Sequence, residues 1–262
     1  MVNIDKNLFL QQKRNVVAIT SGFGSMGKTW LAVTLAHAIN ILKKSVLLFD
    51  ADNGLLNTDF QTGADLRGKI EEVLDGDKTL NQIITPLGRK KFDIIADTPG
   101  NNVLNSVPVG RLQILREEIS LLADNYDYTI LDFPTDEKLF SHFLPTPVDL
   151  ILVCTNEPSN LVSTYNFLQK SSDSAKYKNL RIIVNYANSY EEGLQTYNIL
   201  RHACEKYIKI TPPLLGVVRR DTRVRNAINN QVLLLNRYPT SEAAQDVMQI
   251  AHRIVKMEKI YE

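Results

Sequence analysis

Thr20–Trp30 reads TSGFGSMGKTW, and this stretch fits two nucleotide motifs at once. Gly22, Gly24 and Gly27 satisfy G-x-G-x-x-G, the dinucleotide fingerprint. Gly22, Gly27, Lys28 and Thr29 satisfy G-x-x-x-x-G-K-[ST], the phosphate loop of ATPases and GTPases. The apolar run Asn15–Thr20 (NVVAIT) stands directly before it, and a helical pattern over Lys28–Ile41 opens directly after it. At such a strand-to-helix corner, successive backbone N–H groups can wrap a phosphate while the helix dipole favours its charge. Gly22, Phe23, Gly24, Ser25, Met26 and Gly27 would form the cradle, Lys28 would reach the β- and γ-phosphates, and the Thr29 hydroxyl would bind Mg²⁺. Trp30 follows on the first helix and is expected in the core beside the loop. A dinucleotide site would find a ribose-binding acid in Asp50, at the end of the second strand. It would leave Lys28-Thr29 unexplained, and it has no use for the later strand YTILD (Tyr128–Asp132), which ends in an acid suited to magnesium. The phosphate loop is the better fit.

Outward from the loop, short β-branched runs alternate with helical patterns. Asn15–Thr20, Ser45–Asp50, Phe92–Asp97, Asp127–Asp132, Asp149–Cys154, Leu180–Asn185 and Pro213–Val218 are continuously apolar, as parallel strands covered on both faces are. Between them lie the helical stretches Lys28–Ile41, Gly110–Ala123, Ser159–Ser171, Glu191–Lys206, Thr222–Asn230 and Ser241–Lys259, with one short helix near Leu66–Leu74. Seven strands with helical crossovers predict a doubly wound α/β fold with a mostly parallel, seven-stranded sheet. No linker, repeat or low-complexity tract divides the chain, so one domain over 1–262 is expected, with 1–13 as an N-terminal tail.

The totals narrow the function. At 262 residues with 44% hydrophobic and 23% charged content, the composition is that of an ordinary globular domain. A net charge of +1 gives no global attraction to nucleic acid or membrane. Cys154 and Cys204 lack C-x-x-C spacing and sit in apolar surroundings, as buried thiols in a reducing compartment do. His37, His142, His202 and His252 are scattered without metal-ligand spacing. The polar start predicts no signal peptide, and no run reaches the ~18 apolar residues of a membrane span. A cytoplasmic protein is expected.

LLFDADNGLLNTDF places Asp50 at a strand end and Asp52 two residues on. This string, the loop and YDYTILDFP together resemble the MinD/ParA group of P-loop ATPases, whose loop is the variant K-G-G-x-G-K-[ST]. Within that group the chain is most similar to the MinD-like flagellar-number regulators FlhG and FleN. DADNGLLNTD, TNEPSNLVSTYNFLQK (Thr155–Lys170), VNYANSYEEG and LLGVVRRDTRVRNAINNQVLLLNRYPTSEAAQ carry that similarity, which spans roughly Asn15 to Ile254. The resemblance implies a P-loop NTPase fold, ATP/ADP and Mg²⁺ as ligands, and a switch ATPase for spatial organisation in a bacterial cell, such as flagellar placement or number. It casts Asp52 and Lys28 in catalysis, with Asp52 orienting or activating the attacking water. Thr29, Asp132 and Asp50 are the candidate magnesium residues, Asp132 acting through a bound water. Asn185 would hydrogen-bond adenine, near the Val218–Arg219 backbone. ADTPG (Ala96–Gly100) imitates a D-x-x-G switch but follows the third strand, so Asp132 is preferred to Asp97.

Two departures fall on the γ-phosphate side. The family's signature lysine, contributed across an ATP-bridged dimer, is here Phe23. The second switch, D-x-x-A-G in the family, reads Asp132-Phe133-Pro134-Thr135-Asp136. A cation supplied in trans can be worth ~10³–10⁵ in phosphoryl transfer, by analogy with arginine fingers, and Phe23 cannot supply one. Asp136 either adds like-charge repulsion near the phosphate or caps the following helix. Slow hydrolysis is therefore expected, the alternative being a nucleotide-binding regulator or scaffold without significant turnover. An ATP-dependent homodimer and a protein partner of a polar or flagellar system are implied by the resemblance, although the bridging lysine is missing. NIDKNLFLQQKR does not match the flagellar subgroup's N-terminal activation segment. RRDTRVR (Arg219–Arg225) is the best basic patch, expected to ring the nucleotide and the fold's edge rather than to bind DNA. Ala243, Val247, Ile250, Ala251 and Ile254 recur at helical spacing and are expected to dock on the sheet. Met257, Ile260 and Tyr261 leave a weak peripheral contact with the inner membrane as a lesser expectation.

Overall fold

The computed structural model describes residues 16–24, 26–52, 58–88, 90–96, 103–136, 139, 142–144, 148–171 and 179–258. The tail 1–13, Ser25, Asp97, Ile260 and Tyr261 lie outside the described residues. The strands are β1 (Val16–Ser21), β2 (Val46–Asp50), β3 (Thr85–Pro86), β4 (Phe92–Ile95), β5 (Tyr128–Asp132), β6 (Asp149–Cys154), β7 (Leu180–Ala187) and β8 (Leu214–Arg219). They form one sheet in the order β3-β4-β2-β5-β1-β6-β7-β8, parallel throughout except for the β3–β4 pair. The sheet therefore has eight strands, not the seven expected. All seven apolar runs are strands; the eighth, β3, is a two-residue antiparallel edge strand that contains a proline and carries no apolar run to betray it.

The helices are α1 (Lys28–Ile41), α2 (Thr58–Thr62), α3 (Ile70–Asp75), α4 (Leu80–Ile83), α5 (Val103–Ser106), α6 (Val109–Ala123), α7 (Pro158–Ser171), α8 (Tyr190–Tyr207), α9 (Thr222–Asn229), α10 (Leu234–Arg237) and α11 (Glu242–Glu258). The six long expected helices are present within two residues at either end. Among the described residues, the four helices not anticipated have four or five residues each, too few to show a helical period.

Burial explains the continuous apolar strands. Ile19, Leu48, Ile94, Ile130 and Ile183 point into a core shared with α1 and α11. Ala18, Leu47, Phe49, Ile95 and Leu131 point into a second core built with α6. Adjacent residues along a strand face opposite sides, so a strand covered on both is apolar at most positions, buried polar residues such as Asp93 in β4 and Thr129 in β5 being the exceptions. The stripe on α11 docks as expected: Ala243, Val247, Ile250 and Ala251 are buried in the α1 core, and Ile254 packs partly buried against it. Cys154 and Cys204 are free and buried. No helix among the described residues is long and apolar enough to cross a membrane.

Candidate functional site

The site lies at the carboxyl end of β1, which β5 and β6 flank. The strand stops at Ser21, and Gly22 turns the chain against α7: a methyl group at Gly22 would lie 2.4 Å from the Ser163 carbonyl. The Ser21 hydroxyl donates to the Phe23 carbonyl, folding the loop back on the strand. Gly27 takes the left-handed conformation (φ +74°) and precedes α1. Among the described residues no side chain caps this helix and no acid stands in its first turn, so the amides that a cap would satisfy are left for an anion. Thus far the geometry is that of a phosphate cradle.

Lys28 is buried, and its ammonium stands 3.0 Å from Asp52 Oδ2. The two residues assigned to catalysis, 24 positions apart in sequence, are an ion pair. Asp50 holds its neighbours in place. Its Oδ1 accepts from the Asp52 amide (3.0 Å), and its Oδ2 accepts from the Thr58 amide (3.1 Å) and the Thr58 hydroxyl (2.8 Å). With both oxygens so engaged, Asp50 ties the end of β2 to the start of α2. Burial raises its pKa to about 7, helped by the Asp52 charge and opposed by the Thr58 and Asp52 hydrogen bonds.

Asp132 sits beside Asp50 in the register of β5 and β2. It is fully buried, and neither oxygen has a hydrogen-bond partner among the described residues. Burial lifts its pKa well above the carboxylate range, the Asp50 and Asp52 charges add to this, and Lys28 and the Thr29 hydroxyl act the other way. A buried carboxylate with two bare oxygens is chemically suited to a hard cation or its bound water. Asp132 and Thr29 therefore fit Mg²⁺. Among the described residues no group of three His, Cys, Asp or Glu could hold a metal alone, so the remaining ligands would come from phosphate and water.

The segment after β5 is laced to the strand before the loop. The Phe133 amide donates to the Ile19 carbonyl (2.9 Å), and the Thr135 hydroxyl donates to the Ser21 carbonyl (2.8 Å). Asp136 Oδ1 accepts from the Leu139 amide (2.9 Å), so this carboxylate is engaged by its own chain three residues on.

The other candidates distribute as follows. Phe23 is 58% exposed, and Gly24 has open space around it. Met26 and Trp30 send their side chains into the α1 core and offer the loop only backbone. Val218 is buried in that same core. Arg219 binds Asp246 with Nε and Nη2 (both 2.9 Å) and Glu242 with Nη1, while its amide donates to Asp246. Its polar groups are thus committed to α11. Asn185 is buried and donates from Nδ2 to the Met26 carbonyl (2.8 Å), leaving Oδ1 without a partner among the described residues. Thr58, Thr135 and Tyr186, whose hydroxyl lies against Gly27, were not anticipated. Each lies within a motif string, Thr58 in DADNGLLNTD, Thr135 in the second switch and Tyr186 in VNYANSYEEG, but its contact does not show in the sequence.

The CobQ/CobB/MinD/ParA nucleotide binding domain family matches residues 17–235. The chain belongs to this family. It is similar to the antiactivator FleN of Pseudomonas aeruginosa, 25% identical over 241 residues that cover 91% of this chain and 85% of that protein. It is also similar to the flagellum site-determining protein YlxH of Helicobacter pylori, 26% identical over 253 residues, covering 94% and 84%. Among solved structures, the septum site-determining protein MinD complexed with Mg-ADP from Pyrococcus horikoshii superposes with a TM-score of 0.76 at 23% identity, over 95% of this chain and 98% of that one. The eight-stranded, mostly parallel sheet is the MinD/ParA P-loop fold.

Proposed function

We propose that this chain is a MinD-like ATPase switch that serves spatial organisation in a bacterial cell, in flagellar placement or number. The observation that carries the proposal is the Lys28–Asp52 ion pair at the mouth of an uncapped, glycine-turned phosphate loop. The similarity to an antiactivator and a flagellum site-determining protein supports the cellular setting.

The chain's own groups define the chemistry. The amides of the Gly22–Thr29 loop bind the phosphate chain, and Lys28 exchanges the Asp52 carboxylate for phosphate oxygens. Asp52, released on that side, orients a water and accepts its proton as the water oxygen bonds to the γ-phosphorus. The bond from that phosphorus to the β–γ bridging oxygen breaks, giving ADP and phosphate. Thr29 and Asp132 would hold Mg²⁺, which neutralises charge on the phosphates when bound. Asp50 fixes Asp52 through its amide rather than by meeting the nucleotide.

Turnover is slow in this proposal because Phe23 offers no cation to the phosphate. Its exposure puts an apolar ring where a second copy would approach in an ATP-dependent homodimer. The same residue favours the second reading, a nucleotide-held regulator that recruits a protein partner without significant hydrolysis. Phosphate release from ATP and Mg²⁺ decides between them. Release abolished by Asp52→Ala supports the switch; none above a Lys28→Ala control supports the regulator. A cytoplasmic location, with at most peripheral contact at the inner membrane, completes the proposal.

A further inference from the structure

Asn185 and Tyr186 are successive residues near the end of β7, yet both meet the phosphate loop. A methyl group at Gly27 would lie 2.6 Å from the Tyr186 hydroxyl and 2.8 Å from Asn185 Nδ2. Successive side chains on a strand point to opposite faces, so regular extended backbone cannot bring both to one atom. Two irregularities make it possible. The pairing of β7 with β8 shifts register between Val184 and Ala187, and Tyr186 adopts the left-handed conformation (φ +60°). That conformation is strained for a residue with a Cβ, and more so for an aromatic one, and such strain persists where surrounding structure enforces it.

The contact has a consequence for the loop amides. The peptide between Met26 and Gly27 is a single plane in which C=O and N–H point in opposite directions. Asn185 holds the Met26 carbonyl at 2.8 Å, on the strand β7 side, and so turns the Gly27 amide the other way. A carbonyl swung into the cradle would repel a phosphate, whereas an amide there attracts it. The Tyr186 hydroxyl, pressed on Gly27, blocks the backward rotation of the same unit.

We infer that Asn185 and Tyr186 form a two-point clamp on the back of the phosphate loop, positioning residues that fix its peptide orientation. This inference rests on the proposed nucleotide site and adds a second part to the one expected of Asn185 in adenine recognition. One N–H of the Asn185 amide is given to the loop, while its second N–H and Oδ1, which has no partner among the described residues, stay available to a base.

Calorimetric titration of the full chain with ADP, GDP and inorganic tripolyphosphate tests the clamp, the last probe having no base. Asn185→Ala should weaken all three by about tenfold, the worth of one hydrogen bond, the base-free tripolyphosphate included. Tyr186→Phe keeps the ring and its packing, folds as wild type does, and should weaken all three by about threefold. A melting curve for each variant accompanies the titration, and Tyr186→Phe decides the matter should Asn185→Ala fail to fold. An altered ADP-to-GDP ratio with tripolyphosphate unaffected would overturn the clamp in favour of base recognition. Unchanged affinities in both variants would overturn it while leaving the nucleotide site standing. Absence of any ADP binding by wild type would remove the nucleotide proposal and the clamp together.

Discussion

Replacing Asp52 with alanine should move nucleotide affinity and turnover in opposite directions. Lys28 is neutralised by Asp52 at 3.0 Å, the two side chains being 7% and 23% exposed. A phosphate must compete with that carboxylate for the ammonium. Exposed pairs are worth ~0–1 kcal/mol, and breaking a fully buried pair costs about 3–5 kcal/mol. The partial exposure of Asp52 places this pair between those limits, at about 1–2 kcal/mol, and Asp132 and Asp50 nearby soften the loss further. Removing the competitor should therefore tighten ADP binding by roughly five- to thirtyfold. Phosphate release should meanwhile drop to the Lys28→Ala background, since no carboxylate remains to take the proton from water. Calorimetry with ADP and a steady-state phosphate assay, run on one preparation, measure both. Unchanged or weaker ADP binding by Asp52→Ala would refute the competition.

Three further outcomes follow from single side chains. Phe23→Lys returns a cation to the loop and should speed ATP hydrolysis by at least about tenfold, within the ~10³–10⁵ span of trans-acting cations; an unchanged rate of phosphate release would show that the apolar ring does not limit turnover. Asp132→Asn removes the carboxylate that fits Mg²⁺, so it should abolish the gain in ADP affinity that Mg²⁺ confers while ADP binding without Mg²⁺ is kept; a gain in affinity that survives contradicts this role. His37 is stacked on Phe92, and burial lowers its pKa from 6.5 to about 4. Its neutral form is favoured in the folded state, so its contribution to stability is complete above pH 6.5 and is lost as pH falls toward 4. Urea unfolding at pH 7 and pH 4.5 should show wild type losing about 2–3 kcal/mol more than His37→Gln; equal losses would refute it.

Strong, local signals made the fold legible. The buried parallel strands are predominantly apolar runs, because both of their faces are covered. The loop motif fixes the order of strand, turn and helix by itself. What escaped depends on contacts distant in sequence. Thr85–Pro86 joins the sheet only because Phe92–Ile95 lies beside it. Asp50 and Asp132 could be placed at strand ends and Asp52 two residues on, but the magnesium part expected of Asp50 did not foresee its engagement by Thr58. Asp50 became a tether because Thr58 donates to it twice, whereas Asp132 has, among the described residues, only the Thr29 hydroxyl nearby, outside hydrogen-bond geometry. Asn185 was legible as a polar residue at a strand end; its turn toward Met26 was not. Nor does an apolar pattern announce that Tyr186 leaves the extended region, since that choice is made by the bulge and the loop it touches. Asp136 shows the same limit: the residue is plain in the sequence, while the Leu139 amide that occupies it is a matter of geometry.

The most direct measurement is a calorimetric titration of ATP with Mg²⁺ into wild type and Lys28→Ala side by side. Saturable binding to wild type, lost or weakened by at least about a hundredfold in the variant, is the outcome expected of a charged group that meets phosphate in a water-poor pocket. No binding to wild type, or equal binding to both proteins, would contradict the assignment of this loop as the nucleotide site.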